Sequence, residues 1–133
     1  MYTIIIVGEG IKEMDQIKVF DSELKVMEII WANEPVTAKQ VAAVAGEQIG
    51  WNKNTTYTII KKLIYKNAVV RTEPNFVCTT TVSKSEVVKT ETKSLIDKLF
   101  GGSKKAFFAA LLDDKKLTKE EIDELREMID KHI

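Results

Sequence analysis

The sequence predicts a mainly α-helical chain carrying one small β-hairpin. Three observations lead to that expectation. Apolar residues recur at helical spacing through most of the chain, capping signals punctuate those stretches, and two β-branched segments flank a tight turn at Pro74 and Asn75.

Taken in order, the first helix is "DSELKVMEIIW", with Leu24, Met27, Ile30 and Trp31 at helical spacing behind Asp21 and Ser22, which are expected to cap its first turn. Asn33 and Pro35 break the pattern. Thr37 with Gln40 then forms a capping box that opens "TAKQVAAVAG", with Gly46 expected to close it. After Gly50, Asn52 or Asn54 caps a third helix, "WNKNTTYTIIKKLIYK", which buries Ile59, Ile60 and Leu63 along one side. "AVVRTE" and "FVCTTTV" read as the two strands of the hairpin. Three helices followed by a hairpin is the order of a winged helix-turn-helix, expected over residues 18–82.

The second half opens with a capping box at Ser83 and Glu86 and runs helically through Val88, Leu95, Ile96 and Leu99 to Gly101 and Gly102. "SKKAFFAALL" places Phe107, Phe108, Leu111 and Leu112 on a broad apolar arc. Thr118 with Glu121 caps a last helix carrying Ile122, Leu125 and Ile129. Three short amphipathic helices over 83–133 would expose more apolar surface alone than a monomer usually tolerates. They are therefore expected to pair with the same segment of a second chain, making a C-terminal dimerisation region through Leu95, Leu99, Phe107, Phe108, Leu111, Leu112, Ile122, Leu125 and Ile129.

Residues 1–17 read as an N-terminal extension. "MYTIIIVGEGIKEM" contains a β-branched run suited to a short strand, or to a loose tail upstream of a start near Met14. Gly8 and Gly10 begin a dinucleotide-binding pattern that fails, because position 13 is Glu and no βαβ unit follows.

Composition narrows the chemistry. Twenty Lys and Arg balance twenty Asp and Glu among 133 residues, so attraction to a polyanion has to come from charge segregated along the chain. That segregation exists. Between Gln48 and Thr72 stand Lys53, Lys61, Lys62, Lys66 and Arg71 with no acid, whereas Asp113 to Lys131 holds eight acids against five bases. One Cys and one His offer no metal-ligand spacing or internal disulfide, and point to a reduced, cytoplasmic setting. No catalytic set, P-loop or cofactor motif is present, so neither an enzyme nor a cofactor is expected.

On the third helix, Thr55, Thr58 and Lys62 share a face opposite the buried stripe. In a major groove such hydroxyls can meet base-edge donors or acceptors, while Lys53, Lys61, Lys62 and Arg71 reach phosphates. Asn54 either caps the helix or offers its amide to an adenine edge. Tyr57 either packs on the hairpin or bonds a phosphate. Cys78 reads as a small buried side chain, and Trp31 and Trp51 as packing residues. The expected partner is double-stranded DNA. A second reading keeps the fold but gives the lysine face an acidic protein partner, making the chain an adaptor.

"LKVMEIIW", "VTAKQVA", "NTTYTIIKKLIYKNAVVR", "LIDKLFGG" and "LTKEEIDELREMI" resemble, in the same order, the penicillinase and methicillin-resistance repressors of the BlaI/MecI type, across about Val19 to Ile133. The resemblance implies a homodimeric winged-helix repressor whose third helix reads an operator dyad and whose C-terminal helices make the dimer. It also implies, as a possible partner, the membrane sensor protease that cuts such repressors in the penultimate helix. The corresponding place here is Ala110 and Leu111, where β-lactam-responsive members have an Asn-Phe pair. Two further departures are Asn67, where many relatives have Gly, and a shortened hairpin at "TEPNF". Copper-responsive relatives carry a C-terminal cysteine cluster that this chain lacks.

Overall fold

The computed structural model describes residues 3–7, 10–14, 17–113 and 115–132, the first two stretches as backbone alone. It divides into two compact units, 1–91 and 92–133.

The first unit begins with an antiparallel hairpin, β1 (Thr3–Val7) and β2 (Gly10–Met14), in which Thr3 pairs Met14 and Val7 pairs Gly10. The β-branched run is thus a strand. Its partner went unread in the sequence because "GIKEM" has little β character.

Three helices follow: α1 (Asp21–Asn33), α2 (Ala38–Gln48) and α3 (Lys53–Tyr65). They pack on one another around Val26, Met27, Ile30, Val41, Ile60 and Leu63, all completely buried. The expected cap of α1 is corrected. Asp21 and Ser22 lie inside its first turn, and it is Glu23 whose carboxylate accepts the Phe20 N–H at 2.9 Å. In α2 the Thr37–Gln40 box forms with bonds of 3.0 and 3.1 Å. Gly46 does not end α2, however. The helix runs on to Gln48, and the left-handed residue that stops it is Gly50 at φ +82°, whose N–H donates to Ala45 O at 3.0 Å.

A three-stranded antiparallel sheet completes the unit, in the order β3 (Val36–Thr37), β5 (Val77–Thr80), β4 (Val69–Thr72). β3 was missed because its two residues double as the entry to α2: Thr37 pairs with Val77 and also caps the helix. The sheet is clamped to α1 by Glu34, which accepts from Thr80 N–H at 2.9 Å and from Thr80 Oγ1 at 2.8 Å. Trp31 adds a bond from its indole N–H to Val82 O at 3.0 Å, and both Trp31 and Trp51 pack against the core. Cys78 is a free thiol, fully buried, and burial pushes its pKa up against the lowering influence of Arg71.

Helix α4 (Lys84–Phe100) starts at the Ser83–Glu86 capping box, with Ser83 Oγ accepting the Glu86 N–H at 3.1 Å. Val87 is seated in the core of the first unit, whereas Val88, which the apolar pattern had picked out, is about half exposed. In the second unit α4 ends at Gly101 and Gly102, both left-handed. α5 (Lys104–Leu112) is capped by Ser103, and α6 (Lys119–Asp130) by the Thr118–Glu121 box. Neither α5 nor α6 buries a residue.

Candidate nucleic-acid interface

The third helix is built to show one side. Thr56, Ile59, Ile60 and Leu63 are buried, and this stripe fixes the roll of α3 so that Thr55, Thr58, Lys61 and Lys62 are exposed together. The start of the helix is settled by Asn52, whose Oδ1 accepts the Thr55 N–H at 2.8 Å. Asn54 is therefore not the cap: it sits exposed in the first turn, with its side chain released from capping. Thr58 is partly engaged, its hydroxyl donating to Asn54 O at 2.8 Å.

The helix ends in a Schellman motif. Ala68 N–H donates to Leu63 O at 2.9 Å and Asn67 N–H to Ile64 O at 3.0 Å, with Asn67 left-handed at φ 65°. This explains how Asn stands at a glycine position, since it tolerates that conformation better than other side chains do.

The acid-free stretch of sequence is not an acid-free surface. Lys66 turns inward, its Nζ donating to Glu23 Oε1 at 2.6 Å and to Lys18 O at 3.0 Å while lying over the Phe20 ring. Arg71 is held by Glu73 through Nε to Oε2 at 3.2 Å and Nη2 to Oε1 at 3.0 Å. That hydrogen bond, ahead of charge attraction, raises the arginine's pKa and lowers the carboxyl's. The cations of the run with no acidic partner among the described residues are Lys53, Lys61 and Lys62; Lys53 lies over the Tyr57 ring.

Tyr57 joins helix to hairpin. Its ring lies tilted against Phe76 at 6.0 Å, and Phe76 in turn lies under the Arg71 guanidinium at 3.7 Å. Glu73 and Phe76 escaped the sequence reading. The signal for Glu73 was there, because an acid two positions after Arg71, at the point where β4 ends, lies within reach of its guanidinium. Nothing local marked Phe76.

Beside the exposed face of α3 lies an open cleft of about 460 Å³, lined by Phe20, Glu23, Thr58, Lys61, Lys62 and Tyr65 among others. In the second unit, Leu95, Leu99, Phe108, Leu111, Leu112 and Ile129 are between 41% and 63% exposed, while Phe107, Ile122 and Leu125 are half-buried. Ala110 and Leu111 are exposed within α5. Among the described residues no group of His, Cys, Asp and Glu is arranged to hold a metal, and no helix is long and apolar enough to cross a membrane.

Comparison with known proteins agrees with this geometry. The family model described as penicillinase repressor matches residues 20–131. The chain is similar to the penicillinase repressor of Bacillus licheniformis, 26% identical over 123 residues that cover 91% of this chain and 94% of that protein. It is similar also to the methicillin resistance regulatory protein MecI of Staphylococcus aureus strain N315, 26% identical over 116 residues, 86% of this chain and 94% of the other. Among solved structures, the DNA binding domain of the repressor BlaI superposes with a TM-score of 0.50 at 28% identity, covering 55% of this chain and 93% of that one.

Proposed function

The chain belongs to the penicillinase repressor family, and from that premise we propose that it is a cytoplasmic transcriptional repressor that binds an operator dyad as a homodimer, with α3 in the major groove. The observation that carries this reading is the outward face of α3. Thr55, Thr58, Lys61 and Lys62 are exposed together on a helix whose opposite side is locked into the core, and neither lysine has an acidic partner among the described residues. Asn54, Thr55 and Thr58 meet base edges, while Lys53, Lys61, Lys62 and Arg71 meet phosphates; Tyr57 braces the wing and turns its hydroxyl to the backbone.

Pairing of the second unit with its copy is supported by the apolar side chains left exposed on α4, α5 and α6, among them Leu99, Phe108, Leu112 and Ile129. Two copies of α3 would then meet half-sites about one helical turn, roughly 34 Å, apart. Release by a membrane sensor protease cutting at Ala110 and Leu111 fits this arrangement, because the cut would sever the helix that carries Phe107, Phe108 and Leu112 and so undo the pairing.

The test is fluorescence anisotropy with the duplex found immediately upstream of the gene, its inverted repeat intact or scrambled, at two salt concentrations. A preference for the intact repeat of about 10³-fold or more is expected, weakening steeply with salt. Equal binding of both duplexes, or none at low salt, would overturn the reading and favour an adaptor.

A further inference from the structure

The hairpin turn is more tightly built than its length requires. Thr72 pairs with Val77, leaving Glu73 to Phe76 as a four-residue connection in which Asn75 and Phe76 have φ of 75° and 53°. Asn is at home there, but a bulky aromatic residue rarely adopts that conformation and keeps it only where its surroundings over-determine it. Those surroundings are present. The Phe76 N–H donates to Glu73 Oε2 at 3.2 Å, its carbonyl accepts from Ala38 N–H at 2.9 Å, and its ring lies against both Tyr57 and Arg71.

Glu73 is the hub of this arrangement. Its two oxygens take the Nε and Nη2 edge of Arg71 as well as the Phe76 N–H. A guanidinium has five N–H donors in a rigid plane, so this side-on grip uses two and leaves three for an acceptor beyond the protein. The Arg71 side chain is 45% exposed, so those donors have an approach from solvent.

We propose that Glu73 is a positioning residue: it fixes Arg71 over the Phe76 ring so that the free guanidinium donors meet a DNA phosphate, and through Phe76 and Tyr57 it holds the wing in register with α3. This rests on the reading of α3 as the DNA-binding helix. It makes a claim opposite in sign to simple electrostatics. A carboxylate beside a polyanion repels it, so on charge alone removing Glu73 should tighten binding. As a positioning residue, Glu73 does more by orienting its partner than it loses by its charge.

The experiment measures operator and scrambled-duplex binding across a salt series for the full-length wild type, Glu73→Gln, Glu73→Asp, Arg71→Ala and the Arg71→Ala, Glu73→Gln double variant. Glu73→Gln should bind operator about fivefold more weakly, the effect of misplacing one well-aligned charged contact. Glu73→Asp keeps the charge but shortens the reach, and should weaken binding as well. Arg71→Ala should flatten the dependence of log K on log salt by about 0.9. In the Arg71→Ala background the Gln substitution should weaken binding by much less than in wild type, since the grip on the guanidinium is gone and the bond to the Phe76 N–H is offset by the repulsion removed. The Glu73 side chain is 59% exposed, so the variants are expected to fold, with thermal melts as the check. Glu73→Gln binding operator as well as or better than wild type overturns the positioning role while leaving the DNA reading intact. Wild type with no preference for the operator removes both.

Discussion

Lys66 and Lys62 lie one helical turn apart at the end of α3, and their surroundings give them different roles. Lys62 is exposed and carries no acidic partner among the described residues, whereas Lys66 neutralises Glu23, a carboxylate only 3% exposed. Replacing Lys66 by Met should therefore leave a buried charge underpaired and cost about 2 kcal/mol in chemical denaturation, reduced from the usual figure for a buried pair because Lys66 itself is partly solvated. The salt dependence of operator binding should stay that of wild type. Lys62→Ala should do the reverse, leaving stability within about 0.5 kcal/mol and flattening the salt slope by about 0.9. Thr56 is a second residue read by its surroundings: it is fully buried and its Oγ1 has no partner among the described residues. Thr56→Val keeps the shape and removes the unpaired hydroxyl, so a gain of about 1 kcal/mol is expected, seen as a higher Tm. The pH behaviour of Glu73 follows from its lowered carboxyl pKa. The contact with Arg71 is fully present above the ordinary glutamate value of 4.5 and is lost only as pH falls through the still lower folded value. An NMR titration of the Arg71 Nε–H should accordingly show no change from pH 8 to pH 5; loss of the contact within that range would contradict the assignment.

At the scale of elements, the capping boxes were the most legible features, because such a box is a local exchange between two side chains and backbone amides three residues apart. The boxes at Thr37, Ser83 and Thr118 all form as their sequences suggest. Where two candidates stood close together, local rules were not enough. Asn52 and Asn54 satisfy the same preference, and the choice between them falls to the burial of Thr56, Ile59 and Ile60, which fixes where α3 begins to turn. The two asparagines should consequently separate on substitution. Asn52→Ala is expected to cost about 1 kcal/mol of stability, whereas Asn54→Ala should leave the thermal midpoint nearly unchanged and weaken operator binding. Melts and anisotropy on the two variants distinguish them directly. Short strands were the least legible elements. Two residues at Val36–Thr37 carry no period of their own, and β3 exists only because β5 offers a free edge beside them.

For the whole molecule, the neutral total charge conceals an uneven distribution along the chain. The first unit presents lysines on α3, and the second carries an acidic α6 beside exposed apolar side chains on α4 and α5. If those side chains meet a second copy, a charge placed among them should separate the protomers. Leu99→Glu is expected to shift sedimentation from dimer to monomer and to weaken binding to the full dyad far more than binding to a half-site, since two linked half-sites reinforce one another. A monomeric wild type would refute the pairing, and the DNA-binding reading of α3 would then have to stand on the half-site alone.

By itself the sequence determined the helices, the capping boxes at Thr37, Ser83 and Thr118, the β4–β5 hairpin and the buried stripe of α3, because periodicity and capping boxes are set by residues within a few positions of one another. The tertiary structure decided which charges are free. Glu23 reaches Lys66 across 43 positions and Glu34 reaches Thr80 across 46, contacts no local rule could foresee because packing alone brings those segments together. The same packing seats Tyr57 on Phe76, so the surface that α3 presents includes a wing clamp whose parts the chain keeps far apart.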